Sequence, residues 1–333
     1  MVNVTRIFDI PRRQKEKFAT SESLLGKIDG AWKAWSTDDF IEQANQISKG
    51  LTELGIKRGD AVAMISANRP EWNIMDIGML QAGIVNVPIY TTLSEPEIAF
   101  ILNDCKARLV IAGDRSLYDK VNAVRSKIPT LVEIYTIDSI PDIPNINDII
   151  SKGKSSGIDV NEMMSVAEPG DVATILYTSG TTGTPKGVML THDNIVSNIL
   201  SSEHLCPVGP GDRALSFLPL CHSYERMLTY LYMYIGVSIY YAESIEKIFR
   251  WFDTERRISY DALTRVIEGT YYEKAILELI EDVYKRQMVY SKKTKLLKGV
   301  NVVDLTYFKA GRGYFVLVVR TAQEFNSQKI IVQ

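Results

Sequence analysis

The chain has 333 residues, 46% of them hydrophobic and 23% charged, which is enough apolar material for a sizeable core and more than one subdomain. A formal charge of −2 gives no general attraction to nucleic acid, so none is expected as a partner. Three cysteines, Cys105, Cys206 and Cys221, are odd in number and far apart, which suits reduced thiols in a cytoplasmic setting better than a disulfide frame or a zinc site.

Residues 1–18 lack the apolar centre of a signal peptide, and no stretch reaches the length of a membrane span. Residues 38–54 repeat at helical spacing and end at Gly55; 61–66 read as a strand, and 71–82 as a helix running into Gly83. A strand at 84–90, a helix at 95–105, a strand at 109–112, a helix at 117–127 and a strand at 132–137 continue the alternation. Such a rhythm predicts an α/β fold, with layered parallel or mixed sheets and flanking helices. Residues 141–165, polar and broken by Pro, Gly and Ser, are expected to connect a first layer at 1–140 to a second at 166–248. The tyrosine-rich apolar run at 227–241 is interrupted by Thr229, Gly236 and Ser238, and reads as a buried helix, turn and strand.

Between these lies Tyr177-Thr178-Ser179-Gly180-Thr181-Thr182-Gly183-Thr184-Pro185-Lys186-Gly187, entered from an apolar strand at 173–177 and leading towards a helix that starts near Thr191 or Asp193. Glycines admit backbone N–H groups to phosphate oxygens, hydroxyls add donors, and a lysine adds a mobile positive charge; together they make a triphosphate clamp. The spacing is not that of an ordinary P-loop, because Lys186 follows Pro185 and precedes Gly187.

This string, followed by Leu190-Thr191-His192 and Asn194, resembles the signature loop of the adenylate-forming superfamily, which includes acyl-CoA synthetases, peptide-synthetase adenylation domains and luciferases. Leu218-Pro219-Leu220-Cys221-His222-Ser223-Tyr224-Glu225-Arg226 resembles the motif that follows, and its His-Ser-x-Glu-Arg ending is most like the long-chain fatty acyl-CoA synthetases. Gly59 to Ser66, Asn68-Arg69-Pro70-Glu71-Trp72 and Gly83 to Tyr90 are similar to the family's N-terminal half, so the likeness runs from about residue 4 to 248.

The resemblance implies the partial large N-terminal domain of an adenylate-forming enzyme, and chemistry in two steps. A fatty carboxylate attacks the α-phosphorus of ATP, releasing pyrophosphate, and the thiol of coenzyme A then displaces AMP; Mg²⁺ bridges the phosphates. It implies that Thr178, Ser179, Gly180, Thr181, Thr182, Gly183 and Lys186 hold the β- and γ-phosphates, with Lys186 catalytic. Thr178 is either a magnesium contact or a hydroxyl that satisfies the loop's own backbone. His222 is either a catalytic group near the carboxylate and adenylate or a satisfied structural side chain. Glu225 and Arg226 read as an internal ion pair, His192 as a helix-start residue, and His204 carries no signal. Peripheral association at the inner membrane surface stays open, and acyl chain length and oligomeric state are not legible. Two other readings keep the loop: a nucleotide-binding module without catalysis, and an aryl- or amino-acid-activating enzyme, which would lose the His-Ser-x-Glu-Arg ending.

After residue 248 the likeness stops. Residues 249–281 are unassigned, with a foreign origin left open. Asp282-Val283-Tyr284-Lys285-Arg286-Gln287 back-translates as GAT GTG TAT AAG AGA CAG, a transposon end used to tag DNA for sequencing, and is read as a library scar. Residues 288–333 hold eight Lys or Arg and two acids, a net +6 against −8 for the rest, and read as an unrelated basic tail with strands at 300–305 and 314–319. Gly311-Arg312-Gly313-Tyr314-Phe315 is only weakly similar to RNA-binding sheets. The family's later motifs are missing: the aromatic-Gly-x-Thr-Glu segment, the ribose aspartate, the hinge and the C-terminal lysine. The chain as it stands is therefore expected to be inactive, and poorly soluble or partly unfolded.

Overall fold

The computed structural model describes residues 2–28, 30–179, 185–206 and 208–243, and the backbone of four strands between 291 and 332. The chain forms two units, Met1–Val266 and Ile267–Gln333.

Three elements that no sequence period announces open the first unit: α1 (Asp9–Phe18), β1 (Leu24–Ile28) and β2 (Ala31–Trp35). The predicted alternation then follows. Helix α2 (Thr37–Glu53) starts where Ser36 caps it: the Ser36 hydroxyl accepts the Asp39 N–H and the Asp39 carboxylate accepts the Ser36 N–H, both at 3.0 Å. Phe40, Ile47 and Leu51 follow at helical spacing, each fully buried and each stabilising by about 1.5–3 kcal/mol. Next come β3 (Ala61–Ile65), α3 (Pro70–Gln81), β4 (Val85–Ile89), α4 (Glu95–Asp104), β5 (Leu109–Ala112), α5 (Arg115–Asn122) and β6 (Glu133–Thr136). The helix expected to run to residue 127 stops at Asn122, and a single 3-10 turn, Arg125–Lys127, replaces its end.

The connecting segment at 141–165 is itself helical, with α6 (Ile146–Ser155) and α7 (Val160–Ser165). Helix α6 packs on α2 through two glycines. A Cβ at Gly153 would stand 1.8 Å from the Gln46 carbonyl oxygen, and one at Gly50 would stand 2.0 Å from that of Ile149. Gly153→Ala should therefore force the helices apart and lower stability by about 1–3 kcal/mol in urea titration, although alanine is the better helix former. An unchanged midpoint would contradict this close approach.

The rest of the unit comprises β7 (Val172–Ser179), β8 (Pro185–Thr191), α8 (His192–Ser202), β9 (Arg213–Ser216), α9 (Ser223–Ile235) and β10 (Ser238–Tyr241). The apolar run at 227–241 is a helix, a turn and a strand as expected. Gly236 makes the turn at φ +84°, where a Cβ would also meet the Phe18 ring at 2.6 Å.

Two sheets result. One has the order β6-β5-β3-β4-β7-β8 and is parallel except for the β7–β8 hairpin; the other has the order β2-β1-β10-β9, parallel except for β1–β2. The division into layers at 1–140 and 166–248 does not follow these sheets. Strands β7 and β8 extend the sheet of β3–β6, while β1 and β2 reach across the sequence to β9 and β10.

The second unit contains an antiparallel sheet in the order β11 (Ser291–Thr294), β12 (Val303–Ala310), β13 (Tyr314–Thr321) and β14 (Glu324–Val332). Strand β13 covers the expected 314–319, whereas β12 begins inside the expected 300–305 and runs beyond it. The suspected scar at 282–287 lies outside the described residues, as do the side chains of this sheet.

Candidate active site

Strands β3, β4, β5, β6 and β7 run in one direction, so the loops at their carboxyl ends share one edge, the place where open α/β sheets bind ligands. The phosphate loop opens there. Across the hairpin Thr178 pairs with Lys186 and Ser179 with Pro185, which sets a hydroxyl and an ammonium opposite each other at the loop's mouth. Both Thr178 and Lys186 are exposed, and neither side chain has a hydrogen-bond or ion-pair partner among the described residues. Gly180, Thr181, Thr182 and Gly183 lie outside the described residues.

The strand expected to be buried over 173–177 is buried only at Ala173 and Thr174, where the Thr174 hydroxyl donates to the Asn86 carbonyl at 2.7 Å. Beyond that point its partner is the edge strand β8; Ile175 and Tyr177 are half-buried against the apolar core, and only Thr178 is exposed. The register is held further out. A Cβ at Gly187 would come 2.8 Å from Ile175 and 3.2 Å from the Tyr177 ring, so a larger residue there would have to displace those side chains. The Tyr177 hydroxyl in turn donates to Asp104 at 2.6 Å, and burial together with that bond pushes its pKa far above the ordinary value.

Helix α8 begins where the sequence suggested. Thr191 caps it, with the Thr191 hydroxyl accepting the Asn194 N–H at 3.2 Å and Asn194 Oδ1 accepting the Thr191 N–H at 3.0 Å. His192, the first helical residue, is 1% exposed, and its Nδ1 accepts the Ile7 N–H at 3.2 Å.

His222 is exposed and caps α9, its Nδ1 accepting the Tyr224 N–H at 3.2 Å. Neutral imidazole then carries its proton on Nε2, which is left to donate to a ligand. The segment leading to it reaches the same carboxyl edge as the phosphate loop. Asn68, in the loop after β3, hydrogen-bonds the backbone of Leu218 and Leu220. Tyr90, just after β4, lies near Cys221, and burial with that neighbour pushes its hydroxyl up to about 12.

The ion pair expected between Glu225 and Arg226 is not formed. Arg226 reaches Asp76 of α3, with Nη2 to Oδ1 at 2.7 Å and Nε to Oδ2 at 2.9 Å, and neither group is more than 1% exposed. Tyr230 and Asn86 also donate to the Asp76 carboxylate. Neighbouring residues on a helix point to different sides, so Arg226 finds its acid 150 residues away. Among the described residues no group of three or more His, Cys, Asp or Glu is placed to hold a metal, and no helix is long and apolar enough to cross a membrane.

The family model described as AMP-binding enzyme matches residues 10–264, well over half of the chain and past residue 248. The chain belongs to the AMP-binding enzyme family. It is 31% identical over 245 residues to fatty acyl-CoA synthetase A of Dictyostelium discoideum, covering 70% of this chain and 37% of that protein. It is also 31% identical over 249 residues to the long-chain-fatty-acid–CoA ligase FadD15 of Mycobacterium bovis, covering 73% and 41%. This chain thus spans about two fifths of the length of those relatives. The N-terminal domain of FACL13 from Mycobacterium tuberculosis superposes with a TM-score of 0.62 at 25% identity, over 75% of this chain and 61% of that one.

In this AMP-binding enzyme two buried groups of the signature motifs pull stability in opposite directions with pH. Burial, with the charge of Arg226 adding, lowers His192 from 6.5 to about 4. As pH falls from 6.5 to 4 the unfolded chain takes a proton that the folded one refuses, so stability falls, by about 3 kcal/mol in all. Burial raises Glu225 from 4.5 to about 7, against hydrogen bonds from Ser216 and the Phe217 backbone that favour the charged form. Between pH 4.5 and 7 the folded state therefore keeps a proton that the unfolded chain has released, and stability falls as pH rises. His192→Gln should leave a denaturation midpoint that falls from pH 5 to pH 7, and Glu225→Gln one that rises. Parallel profiles in the two variants would contradict the assignment.

Proposed function

We propose that this region serves the ATP-dependent activation of a long-chain fatty acid, first to the acyl-adenylate and then to acyl-CoA. The observation that carries the reading is the hairpin mouth, where a lysine and a threonine, neither with a side-chain partner among the described residues, face each other at the carboxyl edge of a parallel sheet. The names of the relatives supply the substrate class. Lys186 compensates charge on the β- and γ-phosphates and on the departing pyrophosphate, while Thr178, Ser179 and the backbone from Gly180 to Gly183 orient the triphosphate. His222, through Nε2, donates to the carboxylate or to the adenylate phosphate.

A single neutral hydroxyl suits a metal that arrives with the triphosphate, since Mg²⁺ keeps most of its ligands as phosphate and water oxygens. Thr178 would be its protein contact, and the ion when bound neutralises phosphate charge. Coenzyme A is the second-step acceptor, and peripheral membrane association would bring the enzyme to its acyl substrate.

Fatty-acid-dependent ATP–pyrophosphate exchange by the full-length enzyme that carries this region tests the proposal. Exchange with long-chain acids, and little with aryl or amino acids, is expected. Preference for an aryl or amino acid would move the enzyme to another branch of the family, and nucleotide binding with no exchange would make it a non-catalytic module.

A further inference from the structure

We propose that Asn68 is a positioning residue, which holds the segment 216–222, and with it His222, at the edge where the phosphate loop opens. The inference rests on the functional reading of His222 given above. One side-chain amide makes three bonds to that segment: Nδ2 donates to the Leu218 carbonyl at 2.6 Å and to the Ser216 hydroxyl at 3.1 Å, and Oδ1 accepts the Leu220 N–H at 3.0 Å. A carbonyl on one side and an N–H on the other fit only one orientation of the amide.

Asn68 is itself held rigidly. It stands between the end of β3 at Ile65 and the start of α3 at Pro70. Its neighbour Arg69 pairs with Glu71 at 3.0 Å and with Asp138 at 2.8 Å. Ser66, two residues before it, is buried so closely against Gly113 that a Cβ there would come 2.7 Å from the Ser66 hydroxyl oxygen. On the guided side, the His222 N–H donates to the Pro219 carbonyl at 2.9 Å, so a shift at 218–220 carries His222 with it. The bonds join residues 148 to 152 positions apart, linking the sheet that carries the phosphate loop to the segment that carries the imidazole.

The test uses the 333-residue chain with Asn68→Ala, Asn68→Asp, His222→Ala and the double variant Asn68→Ala/His222→Ala. Amide hydrogen exchange and the affinity for Mg²⁺-ATP by calorimetry are read in each. In Asn68→Ala the amides of 218–222 should exchange at least about tenfold faster, with β7 and β8 unchanged. Asn68→Asp, which keeps the acceptor for Leu220 and loses both donations, should fall between. The affinity lost in Asn68→Ala should not add to that lost in His222→Ala. Unchanged exchange at 218–222 overturns the proposal, and so does faster exchange with affinity losses that add in full, the mark of a merely structural bond. Lys186→Ala is the control: unaltered affinity there refutes the reading of the phosphate loop, and the role of Asn68 then stands or falls on the exchange rates.

Discussion

Asp76→Ala is expected to lose about 3–5 kcal/mol of stability, a large share of what holds a domain of this kind together. The carboxylate is completely buried and accepts from Arg226, Tyr230 and Asn86, so its removal strands a guanidinium that is 1% exposed. Arg226 Nη1 already has no hydrogen-bond partner among the described residues, and Asp76 is the acid with which its guanidinium forms an ion pair. The cost therefore comes mainly from the cation left behind. Adding Arg226→Met should recover part of the loss, because a neutral chain of similar volume needs no counter-charge. Urea denaturation of both single variants and the double variant measures this. A double variant as unstable as the sum of the singles would show that the pair is not the source of the effect.

Lys186→Ala is expected to slow adenylate formation by about ten- to a thousandfold, equivalent to about 1.5–4 kcal/mol of transition-state stabilisation. Lys186 is exposed, lies opposite Thr178 and has no acidic partner among the described residues, so its charge is available to a ligand. Removing it should leave the hairpin register intact, because that register depends on strand pairing and on the Tyr177 ring beside Gly187. Pyrophosphate exchange in the full-length enzyme should fall while the unfolding midpoint stays within about 0.5 kcal/mol. Unchanged exchange would remove Lys186 from the mechanism.

What the sequence disclosed was mostly local. The helix at 37–53 announces itself through Ser36, Asp39 and the spacing of Phe40, Ile47 and Leu51, and the turn at Gly236 separates helix from strand within one apolar run. The phosphate loop is legible because the chemistry of a triphosphate demands an unusual composition in one short stretch. Pairings across the sequence leave no such trace. Nothing in the segment 24–35 marks it as a partner for 238–241, a contact that closes only once the chain has folded. The polar composition of 141–165 hid two helices, because α6 buries only Ile146, Ile149 and Gly153 and meets α2 through glycines. In the same way the sequence pairs Arg226 with its neighbour rather than with Asp76, and shows Asn68 only as part of the motif Asn68-Arg69-Pro70-Glu71-Trp72, although it grips the segment before His222.

The central claim is that the hairpin mouth formed by Thr178 and Lys186 recognises a triphosphate. Titrating the chain with Mg²⁺-ATP and with AMP while following amide hydrogen exchange across residues 172–191 tests it most directly. The account predicts that Mg²⁺-ATP binds more tightly than AMP, slows exchange at the ends of β7 and β8, and loses both properties in Lys186→Ala. Equal affinity for ATP and AMP, or protection that survives the loss of Lys186, would contradict it.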